Sequence, residues 1–397
     1  MVLLHVSINN SSGMKSLVLY CKSIPKDALC NTIDGKAPQY NNTVEFHINL
    51  WKAKNGVVKI MPNLIFDFGI KFESTITELC IFLPFRISKE LGVEDLGKCL
   101  STNRDLLNAV FNEDMICQSA SNHCFSKITN NTHNSEQELF YIYHLGEDNY
   151  KVEDYTEDSK VKGTYLTINI SGNPSNEEKI PTEKYYVRFR VYVENISEIV
   201  RTEILSNDLL QAAFSRMDLF DIRLNEKREI PSKVEEKMKK QQFELCTFNK
   251  LHFFYIVDTH ESIDNGIDIR KDSRLLENEQ WSEYEPQSNI ADVNYIAHHW
   301  KKTEDDKPIS HFSLFFSTIY PRLSVVRLAA YFSIVIILGW IGSMLSFSFS
   351  CLFDISVDLL WVKWIKPIII LLIIAALFIY IIKSNFIMSV IKLKRKI

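Results

Sequence analysis

LAAYFSIVIILGWIGSMLSFSFSCLF, residues 328–353, contains no Asp, Glu, Lys or Arg. As a helix it rises about 39 Å, more than the roughly 30 Å hydrocarbon core of a bilayer. A second apolar run, PIIILLIIAALFIYII at 367–382, is short for a span on its own. Lys366 and Lys383 can snorkel from its ends, Trp361 and Trp364 suit an interface, and apolar residues resume at Phe386, Ile387 and Val390. Together the runs predict a transmembrane hairpin with helices at 328–353 and 365–391. A juxtamembrane segment at 321–327, a link at 354–364 and a basic tail at 392–397 complete it.

Positive residues mark the cytoplasmic side of a membrane. Arg322 and Arg327 precede the hairpin, Lys383, Lys392, Lys394, Arg395 and Lys396 follow it, and only Lys363 and Lys366 lie near the link. Both termini are therefore expected in the cytoplasm, beneath the cell's inner (plasma) membrane. Along the first span, Gly339, Gly342, Ser343, Ser346 and Ser350 recur at helical spacing. Small residues let helices approach closely, so this face is expected to seat the second span or a copy of the first, or to line a pore in a homo-oligomer.

Residues 1–327 exceed one ordinary domain and predict two. The net charge of −4 over 397 residues, with basic clustering only in the tail, gives no face for nucleic acid. No basic n-region and apolar core opens the chain, so no signal peptide is expected. Eight cysteines without a regular framework fit reduced thiols.

Within this part the residues predict an α+β fold in two β-rich lobes, 1–155 and 156–320. Strands are expected at 3–8, 17–22, 44–51, 64–72 and 78–85, with period-two alternation clearest at Val44, Phe46, Ile48 and Leu50. Asn55-Gly56 has the chemistry of a tight hairpin. Helices are expected at 89–100 behind Ser88 and at 105–111 behind Ser101 or Thr102. The polar stretch 112–138 reads as a surface loop, 139–145 as a strand, and the acidic stretch 147–158 as a linker. Beyond it, strands at 164–170, 185–193, 219–224, 251–257 and 311–319 alternate with helices at 201–214, 232–243 and 290–300. An internal repeat at an offset of roughly a hundred residues suggests itself. Leu83-Pro84-Phe85-Arg86-Ile87 matches Val187-Arg188-Phe189-Arg190-Val191 in pattern, and the run from Ser101 to Phe111 matches that from Ser206 to Phe214.

A phosphate-cradling loop needs clustered glycines, and the twelve in this chain form no such motif. Nucleophile-elbow, HExxH and paired CxxC patterns are also missing, so neither an enzyme nor a cofactor is expected. Cys117, His123, Cys124 and His133 have ligand side chains at a spacing that fits no zinc pattern, and no metal is expected there. His252, His260, His298 and His299 read as structural or surface histidines. Arg86 and Arg190 sit at matching places in the proposed repeat and could grip an anionic ligand, or pair with Asp105 and Asp208. Arg223, among Glu226, Lys227 and Arg228, could serve a partner surface.

The layout resembles that of the membrane effectors of bacterial antiphage, abortive-infection systems, and the resemblance lies in arrangement. It implies a cytosolic region that senses a small ligand or protein partner and gathers hairpins to disrupt the bilayer in antiviral defence. The alternative is a membrane-anchored scaffold that binds a protein partner without conducting.

Overall fold

The computed structural model describes residues 15–24, 42–52, 64–119, 125–130, 138–170, 183–194, 199–203, 215–264, 272–276, 281, 284, 294–303, 307–321 and 325–353. Residues 1–203 and 217–320 form one compact unit; residues 204–216 and 321–397 form another. The described residues are mostly β-sheet.

In the first half run β1 (Val18–Ser23), β2 (Thr43–Lys52), β3 (Leu64–Glu73), β4 (Ile76–Leu83) and β5 (Val93–Asp95), then the helices α1 (Gly97–Thr102) and α2 (Arg104–Phe111). β6 (Met115–Ser119), β7 (Phe125–Asn130), β8 (Glu138–Tyr143), β9 (Tyr150–Glu157), β10 (Lys160–Asn169) and β11 (Lys184–Tyr192) follow. After β12 (Val200–Glu203) and β13 (Ser215–Leu224) comes α3 (Ser232–Lys240). The unit ends with β14 (Glu244–Leu245), β15 (Thr247–Asp258), β16 (Ser262–Asp264), β17 (Asp272–Leu275), β18 (Tyr295–Thr303) and β19 (Phe312–Pro321), and α4 (Val325–Phe353) belongs to the second unit.

Among the described residues the strands form three sheets. The largest has the order β17-β18-β15-β2-β3-β11-β8-β7-β6, with β5 also on β11; the others are β14-β1-β4-β10-β9 and β12-β13-β19-β16. Period two decides what each face of the large sheet meets. Val44, Phe46, Ile48 and Leu50 of β2, Phe66, Phe68 and Ile70 of β3, Val187 and Phe189 of β11 and Leu251 and Phe253 of β15 share one core with Leu19, Ile81 and Leu166 of the second sheet and Phe220 and Phe316 of the third. Each such Leu, Ile or Phe contributes about 1.5–3 kcal/mol through its removal from water. The opposite face packs Ile65, Tyr186, Tyr192 and Ile256 with Leu100, Leu106 and Leu107 of the two short helices.

This topology bears on two expectations about organisation, and an internal duplication is not shown. The halves 1–155 and 156–320 do not separate into lobes, because β2 and β3 lie between β15 and β11 in a single sheet. The matched motifs also take different places: Leu83 ends β4 in the second sheet, whereas Val187–Val191 belong to β11 in the first. Residues 206–214, the repeat's second helix, lie outside the described residues, as do the Asn55-Gly56 turn and the strand at 3–8.

Other differences have local causes. Residues 112–138 hold the hairpin of β6 and β7 at the rim of the large sheet, where Ser126 and Asn130 are half-buried and Phe125, Ile128 and Thr129 are buried. The acidic stretch is the edge strand β9, in which Tyr155 is buried and charges blunt the exposed edge. Residues 290–300 were expected as a helix, yet β18 lies between β17 and β15, is covered on both faces and so loses its alternation. Arg201 belongs to strand β12 paired with β13, and the expected helix at 89–100 divides into β5 and α1. For α2 the cap is Asn103, whose side chain accepts from Leu106 N–H at 3.0 Å, rather than Ser101 or Thr102. α3 starts behind Pro231 as expected, burying Val234 and Met238.

Over Leu328–Leu345, α4 has a mean hydropathy of 2.1 with no residue of that window buried, so it is long and apolar enough to cross a membrane. The link, the second span and the basic tail, 354–397, lie outside the described residues.

Candidate functional site

Strand register builds rows of side chains on the face of the large sheet that turns away from the main core. One row crosses β18, β15, β2, β3 and β11 as Lys301, His252, His47, Gly69 and Arg188. Beside it run Lys250, Glu45, Lys71 and Tyr186; on its other side run His299, Phe254, Asn49, Asp67 and Arg190. Val110 and Phe111 of α2 help to enclose a cavity of about 440 Å³ over these rows. That volume lies within the range of small-ligand sites.

The lining is strongly cationic. Lys71, Lys184, Arg188, Lys250, Arg274 and Lys301 face it, against the carboxylates of Glu45 and Glu113, in a chain whose net charge is −4. Phe111, Phe140, Phe254 and Trp281 supply apolar and aromatic wall. Asn49 Oδ1 and Trp281 Nε1 are buried without a hydrogen-bond partner among the described residues. An acceptor and a donor left open at a cavity wall are what a bound molecule would satisfy.

Arg188 is 2% exposed. Its Nη1 donates to the Tyr186 hydroxyl at 2.7 Å and its Nε to the Tyr284 hydroxyl, and among the described residues no carboxylate forms an ion pair with it. Burial opposes its charge, and Tyr186, Tyr284 and Asp67 outweigh burial, so the guanidinium stays a cation. The Tyr186 hydroxyl lies 3.3 Å from His47 Nδ1, and His47 Nε2 lies 3.0 Å from Glu45 Oε1. The neutral tautomer that completes this chain carries its proton on Nε2, donating to Glu45 and accepting from Tyr186. Gly69 makes the passage possible: a Cβ there would fall inside contact with the Tyr186 hydroxyl and lie 3.0 Å from Arg188 Nη1.

Burial pushes the His47 imidazole below its ordinary range, with Arg188 and Lys71 acting in the same direction. Burial, His47 and His299 bring His252 down to about 3. Burial alone would raise Glu45, but the hydrogen bond from His47, with the nearby Lys250 and Lys71, holds it at about 2. Burial also lowers Lys71, whose ammonium sits 4.3 Å from the Phe140 ring centre. At neutral pH the floor therefore presents two neutral imidazoles and one carboxylate among fixed cations.

The arginines singled out in the sequence lie elsewhere. Arg190 makes a buried two-point pair with Asp67, at 2.7 and 3.1 Å, in place of the expected Asp208. Arg86 meets Glu194 at 3.3 Å rather than Asp105, and Arg223 meets Asp221 at 2.7 Å and Glu229 at 3.1 Å. None of the three is among the described residues lining the cavity. On α4, a Cβ at Gly339 or Gly342 would meet no neighbour, and Ser343 is exposed; Ser346 and Ser350 also fall on this helix. Cys117 lies on β6, whereas His123, Cys124 and His133 lie outside the described residues. Sequence reasoning passed over Arg188, Lys250 and the pair Glu45 and His47. Alternation in β2 held a usable signal, since these two polar residues share the face opposite Val44, Phe46 and Ile48.

No protein-family model matches the chain, and no curated protein does. What the cavity receives follows from its own side chains: six cations, among them a buried arginine whose hydrogen-bond partners among the described residues are phenols, favour an anion.

Proposed function

We propose that the protein is a membrane-anchored effector. Its β-rich unit senses an anionic small ligand, phosphorylated or carboxylated, in the basic cavity, and its apolar C-terminal helix assembles with copies of itself to disrupt the bilayer. Arg188 carries the sensing half, as a buried guanidinium at the cavity wall with phenols and no paired carboxylate among the described residues. The length and hydropathy of α4 support the anchoring half.

Two further features favour this reading. Lys52, at the end of β2, meets Asp218 at 2.8 Å and Glu261 at 2.7 Å and lies 3.7 Å from the Tyr320 ring centre. The strand that bears Glu45 and His47 is thereby tied to the end of β19, and only a few residues of chain separate β19 from α4. Cys21, Cys80, Cys99, Cys117 and Cys246 are free thiols, in accord with a cytoplasmic placement. The antiviral setting rests on the resemblance in layout alone.

The test is membrane potential in living bacteria expressing the full chain, beside Arg188→Met and the double variant Gly339→Leu/Ser343→Leu, with membrane insertion matched. The full chain is expected to depolarise the cells, and both variants to insert without depolarising. Insertion with the potential intact would leave a membrane-anchored adaptor that binds a protein partner. Equal depolarisation by all three chains would contradict the role of the cavity and of the helix face.

A further inference from the structure

The floor of the cavity also carries a metal-ligand constellation that the basic lining does not explain. One donor atom each from Glu45, His47 and His252 lies within 4.8 Å of the others. The geometry points to a binding site for one divalent transition-metal ion, zinc foremost, held by Glu45, His47 and His252 with a further coordination position open to the cavity.

Register creates this convergence. Glu45 and His47 stand two residues apart on β2, hence on one face, and His252 is the in-register partner of His47 on the parallel strand β15. Both strands lie inside the large sheet with neighbours on each side, so the donors project from rigid backbone. The His47 and His252 rings meet edge-on with centroids 4.9 Å apart.

Two imidazoles and a carboxylate form a donor set that suits zinc and its first-row neighbours, and three protein ligands with an open position describe a reactive or ligand-receiving site rather than a closed structural one. Zinc at about 2.0–2.1 Å from tetrahedral ligands needs donor separations of roughly 3.3 Å. The Glu45 to His47 separation of 3.0 Å is close to that already, and the donors of all three residues lie within 4.8 Å of one another.

Each imidazole has one nitrogen oriented by a neighbour. His47 Nδ1 faces the Tyr186 hydroxyl at 3.3 Å, and His252 Nδ1 faces His299 Nε2 at 3.0 Å. Outer partners of this kind fix ring orientation and tautomer for a ligating histidine. When His47 Nε2 takes the ion, its proton moves to Nδ1, where the Tyr186 oxygen accepts it.

Lys71, Lys250 and Arg188 repel a cation here and reduce its affinity. The same charges favour an anion in the open position, so ion and anion would reinforce each other. This site shares the cavity with the anion reading but uses different side chains, and it stands without that reading.

The test uses the purified full chain in detergent, stripped with a chelator and dialysed. It is titrated with Co²⁺ followed by visible absorption, and then with Zn²⁺ in competition. The expected result is one equivalent of Co²⁺ with the strong visible bands of low coordination number, displaced by Zn²⁺. His252→Gln and Glu45→Gln should each weaken binding at least tenfold, as removing a ligand costs no less than removing an outer partner. Cys117→Ser, which alters a thiol outside this triad, should leave binding unchanged.

A wild-type chain that binds no Co²⁺ saturably would overturn the site whatever the variants do, as would binding retained by both folded ligand variants. Pyrophosphate titration with chelator present reports on the anion separately. Metal binding without pyrophosphate binding would sink the anion reading and leave the metal site standing.

Discussion

Asp67→Ala is expected to lower the stability of the β-rich unit by about 3–5 kcal/mol, the range for stripping the partner from a buried charge. Asp67 is fully buried. It accepts from Arg190 at 2.7 and 3.1 Å and from Trp51 Nε1 at 2.6 Å. Alanine would leave a guanidinium without its close counter-ion and an indole N–H without its acceptor. Glu94, 3.9 Å from Arg190 Nη1, is too exposed and too distant to replace it. Urea unfolding of the full chain in detergent, followed by far-UV circular dichroism, measures the loss. The double variant Asp67→Leu/Arg190→Met should recover most of it, since a buried ion pair is often replaced by apolar side chains of similar volume at little cost. A loss below about 1 kcal/mol in the single variant would show that the pair is not what holds β3 to β11 here.

Arg188→Met is expected to behave in the opposite way. The substitution keeps much of the volume and removes a buried charge whose hydrogen-bond partners among the described residues are phenols rather than carboxylates, so stability should hold steady or rise. Affinity for pyrophosphate should fall roughly 10- to 150-fold, the equivalent of the about 1.5–3 kcal/mol that a hydrogen bond to a charged group contributes. Isothermal titration calorimetry beside urea unfolding separates the two effects. Stability lost with affinity unchanged would make Arg188 a structural residue and remove it from the anion site.

The contrast between these arginines shows what local pattern can convey. Residues 188 and 190 lie on the same face of β11 with similar neighbours, so alternation alone cannot rank them. Arg190 was singled out because its surroundings match those of Arg86. What separates the pair is tertiary: register sets Asp67 opposite Arg190 and leaves Gly69 opposite Arg188. The cavity was illegible for the same reason, since His47 and His252 become neighbours only when β15 pairs in parallel with β2.

The period-two run of β2 is legible because Glu45, His47 and Asn49 alternate with Val44, Phe46, Ile48 and Leu50 although both faces are largely buried, and so is the membrane-length apolar helix, which needs no partner to declare itself. The rim strands β6 and β9 read as a loop and a linker in the sequence, because each buries too few residues to show its alternation. β18 failed the other way, covered on both faces until its pattern fitted a helix. The two-lobe expectation failed because the chain order of strands does not reveal their order in a sheet.

The central claim is that the basic cavity holds an anion, and ligand-dependent stability tests it most directly. A ligand that binds only the folded state stabilises it by about 2.7 kcal/mol at one hundred times its dissociation constant. The thermal midpoint of the full chain in detergent would be followed with pyrophosphate, ATP and citrate at fixed ionic strength, each beside Arg188→Met. The account expects at least one of these anions to raise the wild-type midpoint in a saturable way, and the shift to shrink or vanish in the variant. No shift with any of the three, or equal shifts in both chains, would contradict it.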